Sequence, residues 1–253
     1  MKNKAVWVFP EFNEEKPSKT TIGLLNEAIC CAKEIFGRVE ACLIGDLIER
    51  HIDSLAQKGV DTVYLLKHEL LSHYTLDAYT HIISELIYKH NPSIVFFSAS
   101  PSGNELAAKT AARTKSNCVI QAESLKVSGK FFCVTKSGYN DKVSIHQAFL
   151  QAQPLILSMG SDHLDIKEIT RPVAPQIKIE DIDLESLNIR TKHLGSIKGD
   201  PRKLNIEEAD RIVSVGRGLR PEQMPMVQKL ADLLGATIGG TKPAVDDLSL
   251  INK

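Results

Sequence analysis

Short, nearly continuous apolar runs alternate with helical periodicity through the first hundred residues. Residues 5–9, 39–44, 60–66 and 94–97 are such runs, and Ile94-Val95-Phe96-Phe97 is the most apolar of them. Runs of this length bounded by turn residues read as strands buried on both faces, the pattern of a parallel sheet. Between them apolar residues return every three or four positions. Ile22, Leu25, Ile29, Ala32, Ile35 and Phe36 mark the buried face of a helix that starts near 20 and is stopped by Gly37. Tyr79, Ile82, Ile83, Leu86 and Ile87 mark another over 75–90, and residues 48–57 predict a shorter one. Strands alternating with helices predict an α/β, Rossmann-like parallel sheet with helices on both faces.

The pattern changes at Cys118. Residues 119–126, 130–135 and 142–148 read as short strands separated by Ser128-Gly129 and Gly138-Tyr139-Asn140-Asp141, hence an antiparallel edge. Residues 155–159 read as the last strand of this first domain. Residues 171–205 carry three prolines and an alternation of Ile177, Ile179, Ile182 and Leu184 with acidic residues. No helical period is sustained there, so the stretch reads as a connection with one extended piece packed on a neighbour. The predicted organisation is an N-terminal α/β domain over 1–170, an interdomain connection over 171–205, and the start of a second α/β domain over 206–253.

Two loops follow strands and precede helices, where free N–H groups and the helix dipole favour anions. The first is Ser98-Ala99-Ser100-Pro101-Ser102-Gly103-Asn104-Glu105, before an alanine-rich helix reaching Lys115. Ser102-x-x-Glu105 also fits a capping box, in which the hydroxyl serves the helix's own amides, and that reading is preferred here. The second is Gly216-Arg217-Gly218, after the β-branched run of Ile212, Val213 and Val215. Its glycines either adopt positive φ or let a ligand approach the backbone. Pro221 suits a first helical turn, and Met226, Val227, Leu230, Leu233 and Leu234 then predict a helix with one apolar stripe facing a sheet. Gly235 closes that helix, residues 236–238 form the next parallel strand, and Gly239-Gly240-Thr241-Lys242 lies at its carboxyl end. Two glycine-rich strand-end loops bearing a hydroxyl and two cations suit a flat, anionic, nucleotide-type ligand. As a dinucleotide fingerprint the motif is incomplete, because Pro221 stands where the third glycine belongs and no acidic residue follows about 20 residues on.

Charge and composition narrow the partners. Lys plus Arg and Asp plus Glu both number 31, so the basic excess that nucleic acid or an anionic membrane requires is missing. No apolar stretch approaches the roughly 18 residues of a membrane helix. The run near the amino terminus is too short for a signal peptide and has no cleavage site. Five cysteines without metal or CxxC spacing read as reduced, mostly buried thiols of a cytoplasmic protein. The eight histidines are dispersed, and each reads as a surface or satisfied structural side chain. No acid/base pair, nucleophile signature or P-loop stands out.

The stretch from Arg211 to Asp246 resembles the start of the flavin-binding domain of the electron-transfer flavoprotein alpha subunit. That family shows V-x-x-GRGL, then a helix ending L-A-D-x-L-G-A, then G-[AGC]-[ST]-[RK]-P-x-V-D. The counterparts here are Gly216-Arg217-Gly218-Leu219, Leu230-Ala231-Asp232-Leu233-Leu234-Gly235-Ala236, and Gly239-Gly240-Thr241-Lys242-Pro243-Ala244-Val245-Asp246. The rest of the chain is compatible with the family, whose first domain shares the adenine nucleotide alpha hydrolase-like fold. Lys242 stands where an arginine is common. The family's R-P-x-Y-G-G-x motif survives here as little more than Tyr139 and its turn, so no role is carried over from it.

The resemblance implies an FAD-dependent electron carrier, paired with a beta subunit and drawing electrons from flavin dehydrogenases such as the acyl-CoA dehydrogenases of fatty acid β-oxidation. It implies that Arg217, Gly218, Thr241 and Lys242 contact the cofactor, with no metal and no catalytic residue in the enzyme sense. The family's domain continues through Q-T-G-K, S-G-x-x-Q-H and I-N-x-D segments, which the residues after Asp246 do not match. The expectation is therefore a truncated alpha subunit, or a cofactor-free scaffold that docks a beta-type partner. An adenine-nucleotide enzyme ranks last, because the Ser98 loop holds a single glycine.

Overall fold

The computed structural model describes residues 4–13, 15–168, 170–181, 189–191, 193–195, 206, 209 and 211–247. Ile182 and Leu184 of the connection, and residues 248–253, lie outside them. The chain divides into two units, Met1–His193 and Leu194–Lys253, each described by itself.

The first unit begins with β1 (Ala5–Val8), then a two-stranded hairpin of β2 (Phe12–Asn13) and β3 (Lys16–Pro17), where the sequence suggested a loop. Helix α1 (Lys19–Ile35) starts at Ser18, whose hydroxyl accepts from the Thr21 N–H. Its apolar face is buried as expected, except for Phe36. That residue is the left-handed C-cap, with φ of 53°, and is 88% exposed. The cause lies one residue on: a Cβ at Gly37 would sit 1.8 Å from the Lys4 carbonyl oxygen. Gly37 is thus required for close approach to the first strand, and the reversal falls on Phe36.

Strand β4 (Arg38–Gly45) leads through a 3₁₀ turn and α2 (Ile52–Ala56) to β5 (Thr62–Lys67). Helix α3 (Leu76–His90) is followed by β6 (Ile94–Ser98), buried at every position. Helix α4 (Pro101–Thr114) does not use the expected capping box. Ser100 is the N-cap and accepts from the Gly103 N–H, while Glu105 accepts from the Tyr74 hydroxyl. Pro101 sets this start, since its fixed φ and missing N–H suit the first helical position.

The expected strand over 119–126 is two elements. Strand β7 (Asn117–Ala122) joins the parallel sheet, whereas β8 (Ser124–Ser128) pairs with β9 (Phe131–Gly138), which pairs with β10 (Val143–Leu150) in a separate antiparallel sheet. A bulge opposite Ser158 and a left-handed Gln121, φ 55°, redirect the chain between them. Strand β11 (Leu155–Met159) inserts between β6 and β7. Strand β12 (Gln176–Ile179), inside the stretch read as a connection, adds to the far edge beside β5. The seven-stranded order is β12-β5-β4-β1-β6-β11-β7, and every pair in it is parallel. Apolar clusters fill both faces of this sheet, as a sheet covered by helices on both sides demands.

One charged residue sits inside. Glu40 is fully buried on β4, where it accepts from Trp7 Nε1 at 2.6 Å, pairs with Arg38 and bonds to the Tyr64 hydroxyl. Three adjacent strands, β4, β1 and β5, thereby converge on one carboxylate. Removing one partner of a buried, hydrogen-bonded charge is strongly destabilising, so Glu40→Ala is expected to lower the unfolding free energy by about 3 kcal/mol in urea titration. A loss below about 1 kcal/mol would mean that the cluster contributes little.

The far edge is fastened after β12 by Glu180, whose carboxylate meets Lys89 at 2.5 Å and His90 at 2.9 Å at the end of α3. Burial pushes this carboxyl up, but the hydrogen bonds from Lys89 and His90 outweigh it and hold the group below its ordinary 4.5. A depressed carboxyl contributes stability above its unfolded value, and that contribution is lost as pH falls through the folded one. The stability advantage of the native chain over Glu180→Gln is therefore expected at pH 7 and should vanish as the pH drops below 4.5. An advantage unchanged at low pH would contradict the assignment.

Candidate functional site

The second unit is a parallel pair, β13 (Ile212–Val215) and β14 (Thr237–Gly240), joined by a 3₁₀ turn at Pro221–Gln223 and α5 (Met224–Leu234). The register runs from Ile212 opposite Thr237 to Val215 opposite Gly240. One further bond, from the Thr241 N–H to the Val215 carbonyl at 3.0 Å, carries the ladder past the last strand residue. Both strands therefore end level, and the loops starting at Gly216 and Thr241 leave side by side.

The helix between them is positioned by its ends. Gly235 is the left-handed C-cap with φ of 58°, and Arg211 Nη1 donates to the Leu234 carbonyl at 2.7 Å, placing a cation at the negative end of the helix. The core is small: Val215, Val227, Ala231, Ala236 and Ala244 are buried. The expected apolar stripe is not. Met226, Leu230, Leu233 and Leu234 are exposed, and the buried contacts of α5 are made by Val227 and Ala231. Among the described residues the sheet of this unit has two strands, too few to cover a stripe that wide.

The four residues singled out by sequence lie in these loops. Gly218 is in the turn after β13, closed by the Leu219 N–H bond to the Gly216 carbonyl at 3.1 Å. Neither Gly216 nor Gly218 has positive φ, and a Cβ added at either would meet nothing within 4 Å. The first of the two uses foreseen for these glycines, a left-handed backbone, is thus excluded. The second, open space for something to approach, is what the geometry leaves. Gly239 differs: a Cβ there would lie 2.2 Å from Ile206 Cδ1, the free end of an exposed side chain, and 3.2 Å from Ile212 Cγ2, so its neighbours would have to shift to admit one.

Arg217 and Lys242 are exposed at the two loops and form no ion pair among the described residues. The Thr241 carbonyl accepts from the Ala244 and Val245 N–H groups, which starts the π-helical turn Pro243–Asp247, and the residue itself is exposed. Two exposed cations, an exposed threonine and two sterically open glycines are a set that could hold an anionic, nucleotide-type cofactor.

Elsewhere the titratable groups do structural work. His51 is buried and stacked on Phe12 at 3.7 Å, and burial lowers its imidazole. His146 bonds to Thr135 across the β9–β10 ladder. Burial pushes the Cys31 and Cys42 thiols up, so neither is a ready nucleophile, whereas Cys30 is exposed on α1. No cluster able to hold a metal, and no helix long and apolar enough to cross a membrane, occurs among the described residues.

The contrast between glycines yields a test. Gly239→Ala is expected to destabilise the second unit by about 1 kcal/mol, as the Ile206 and Ile212 side chains shift to admit the methyl group. Gly216→Ala and Gly218→Ala should change stability by less than about 0.5 kcal/mol and weaken instead the binding of a nucleotide-type ligand at these loops. Equal stability losses at all three positions would mean that the 216–218 turn is required by the fold.

Comparison with known proteins bears on both units. The electron transfer flavoprotein domain model matches residues 6–184, and the electron transfer flavoprotein FAD-binding domain model matches residues 205–253. The electron transfer flavoprotein subunit alpha of Thermoanaerobacterium thermosaccharolyticum is 31% identical over 96% of this chain and 74% of its own length. Protein FixB of Clostridium saccharobutylicum is 30% identical over 96% of this chain and 73% of its own. A subunit named lactate dehydrogenase (NAD(+),ferredoxin) subunit LctC, from Acetobacterium woodii, is 23% identical over 96% of this chain and 58% of its own. With both units matched in order and relatives 30% and 31% identical aligned along nearly the whole sequence, the chain belongs to the electron transfer flavoprotein alpha-subunit family.

Proposed function

We propose that this chain is a one-electron carrier subunit that holds FAD in the crevice at the carboxyl ends of β13 and β14. The observation that carries this reading is the Thr241 N–H bond to the Val215 carbonyl, which sets the Gly216–Gly218 loop beside Thr241 and Lys242, with Arg217 and Lys242 exposed and in no ion pair among the described residues. Bound flavin would supply the redox chemistry, because side chains of this set do not themselves exchange electrons.

The chain's own part is binding and electrostatics. Gly216 and Gly218 let the backbone approach the cofactor. Arg217 offers a planar fork of donors suited to phosphate, and Lys242 offers a compact point charge. The Thr241 hydroxyl would offer a hydrogen bond to the flavin. A cation beside the ring stabilises the negative charge that the ring gains on reduction, which raises its potential.

The partner in this reading is a beta-type subunit in a cytoplasmic heterodimer, and the donor is a flavin dehydrogenase. An acyl-CoA dehydrogenase fits that role. The relative named for lactate oxidation indicates that donors differ between members, so the donor class stays broad. A second reading, a cofactor-free docking module, draws on one observation: the exposed Met226, Leu230, Leu233 and Leu234 of α5, an apolar stripe of the kind that partners cover.

The two are separated by the visible spectrum of the chain after desalting from excess FAD, alone and with its beta subunit. Retained flavin bands support the carrier, and a colourless protein that still binds its partner supports the docking module. In the flavin-loaded form, Lys242→Ala is expected to lower the potential of the first electron by on the order of 50 mV, close to a tenfold change in the equilibrium. An unchanged potential would remove Lys242 from the cofactor's surroundings.

A further inference from the structure

The seven-stranded sheet ends on β7, which has β11 on one side and, among the described residues, no strand on the other. The Asn117 N–H bonds to the Pro154 carbonyl at 3.2 Å and the Gln121 N–H to the Ser158 hydroxyl at 2.9 Å, both on the β11 side. Alternate residues of a strand turn their backbone groups to opposite sides, so those of Cys118 and Ile120 face away from the sheet. The Ile120 carbonyl shows this directly, because it accepts from Lys136 Nζ at 3.1 Å. One lysine thus covers one carbonyl, and the Cys118 N–H, the Cys118 carbonyl and the Ile120 N–H form the rest of the open edge.

This edge is the floor of an open groove of about 770 Å³. One wall is the end of α4, where the residues turned to the groove are Ala108, Ala111 and Ala112, and the other is Ile145 and Gln147 of β10. An added strand lies about 4.8 Å from its neighbour, and methyl side chains on α4 leave that space beside β7 free.

Charge marks the two ends of the groove. Lys115, the left-handed C-cap of α4, stands at the Asn117 end, and Lys136 stands at the Ile120 end. Neither forms an ion pair among the described residues. No Asp or Glu lines the groove. At strand rise the floor from Ser116 to Ile120 spans about 13 Å, the length of four residues of extended chain.

We propose that this groove docks an extended segment of a partner chain, which adds to β7 as a further strand and sets acidic side chains, flanking small apolar ones, on Lys115 and Lys136. In strand addition the main-chain bonds hold the segment and the side-chain surroundings select it. Here the alanine wall selects small residues, and the two lysines select carboxylates over cations. The groove lies wholly in the first unit, and its use does not depend on flavin in the second.

The test is fluorescence anisotropy of the full chain, without FAD, against the labelled, end-blocked hexapeptide Ala-Asp-Val-Ala-Glu-Ala. It is expected to bind at least about tenfold more tightly than the same peptide with lysine at both acidic positions, and than the acidic peptide N-methylated at its two central amides. Lys115→Gln combined with Lys136→Gln should remove the preference for the acidic peptide, and Ala112→Phe, at an exposed helix position, should weaken its binding at least about tenfold. Amide hydrogen exchange at Cys118 and Ile120 should slow in the complex, while that of Val119, already bonded within the sheet, stays as it is. The proposal is overturned by the absence of saturable binding up to about 1 mM peptide. It is overturned equally if the lysine or N-methylated peptide binds as tightly, if the variants bind like the native chain, or if exchange at Cys118 and Ile120 is unchanged in the complex.

Discussion

Parallel strands cannot be joined by a tight turn, because the chain must travel back the length of the strand before it can pair again. Each returning segment delivers the next strand's carboxyl end to the same side as the last. In the second unit this constraint acts on a single pair. Helix α5 returns the chain from Val215 to Thr237, the ladder closes with the Thr241 N–H on the Val215 carbonyl, and two loops emerge together. A site is then a matter of what those two loops carry, here Gly216-Arg217-Gly218 and Thr241-Lys242. In the first unit the same constraint acts on seven strands, and a cleft opens where the winding reverses beside Phe9 and Ser98.

Glycine does three different jobs in this arrangement. At Gly235 it supplies the left-handed residue that ends α5. At Gly37 it permits a close approach to the Lys4 backbone that any Cβ would block, and at Gly239 it spares the Ile206 and Ile212 side chains from crowding. At Gly216 and Gly218 neither reason applies, and the backbone is left open to the approach of a ligand. The sequence alone shows five glycines at helix and strand ends. Their separation into structural and ligand-facing kinds needs the backbone angles and the neighbours.

The parallel sheet was legible because strands buried on both faces must be almost wholly apolar, as Ile94-Val95-Phe96-Phe97 is. Helix faces were legible for the same reason where a sheet covers them, as with Ile22, Leu25 and Ile29. The errors came from terms that act at element ends or across long separations. Phe36 fits the helical period, yet the crowding of Gly37 against Lys4 forces the reversal onto it. The Ser102 and Glu105 pair fits a capping box, but Pro101 starts the helix earlier and Tyr74, 31 residues away, takes the carboxylate. Leu230, Leu233 and Leu234 read as a core stripe, although two strands offer too little surface to cover it. The candidate site itself was legible as a pair of loops. That they leave side by side rests on a register that periodicity does not fix.

The central claim is that the loops after β13 and β14 form one flavin-binding crevice. The most direct measurement is the backbone amide spectrum of the full chain titrated with FAD. The account predicts that the resonances of residues 216–219 and 241–242 shift together with a single affinity, while those of the first unit's sheet stay in place. Shifts at one loop without the other, or confined to the first unit, would contradict it.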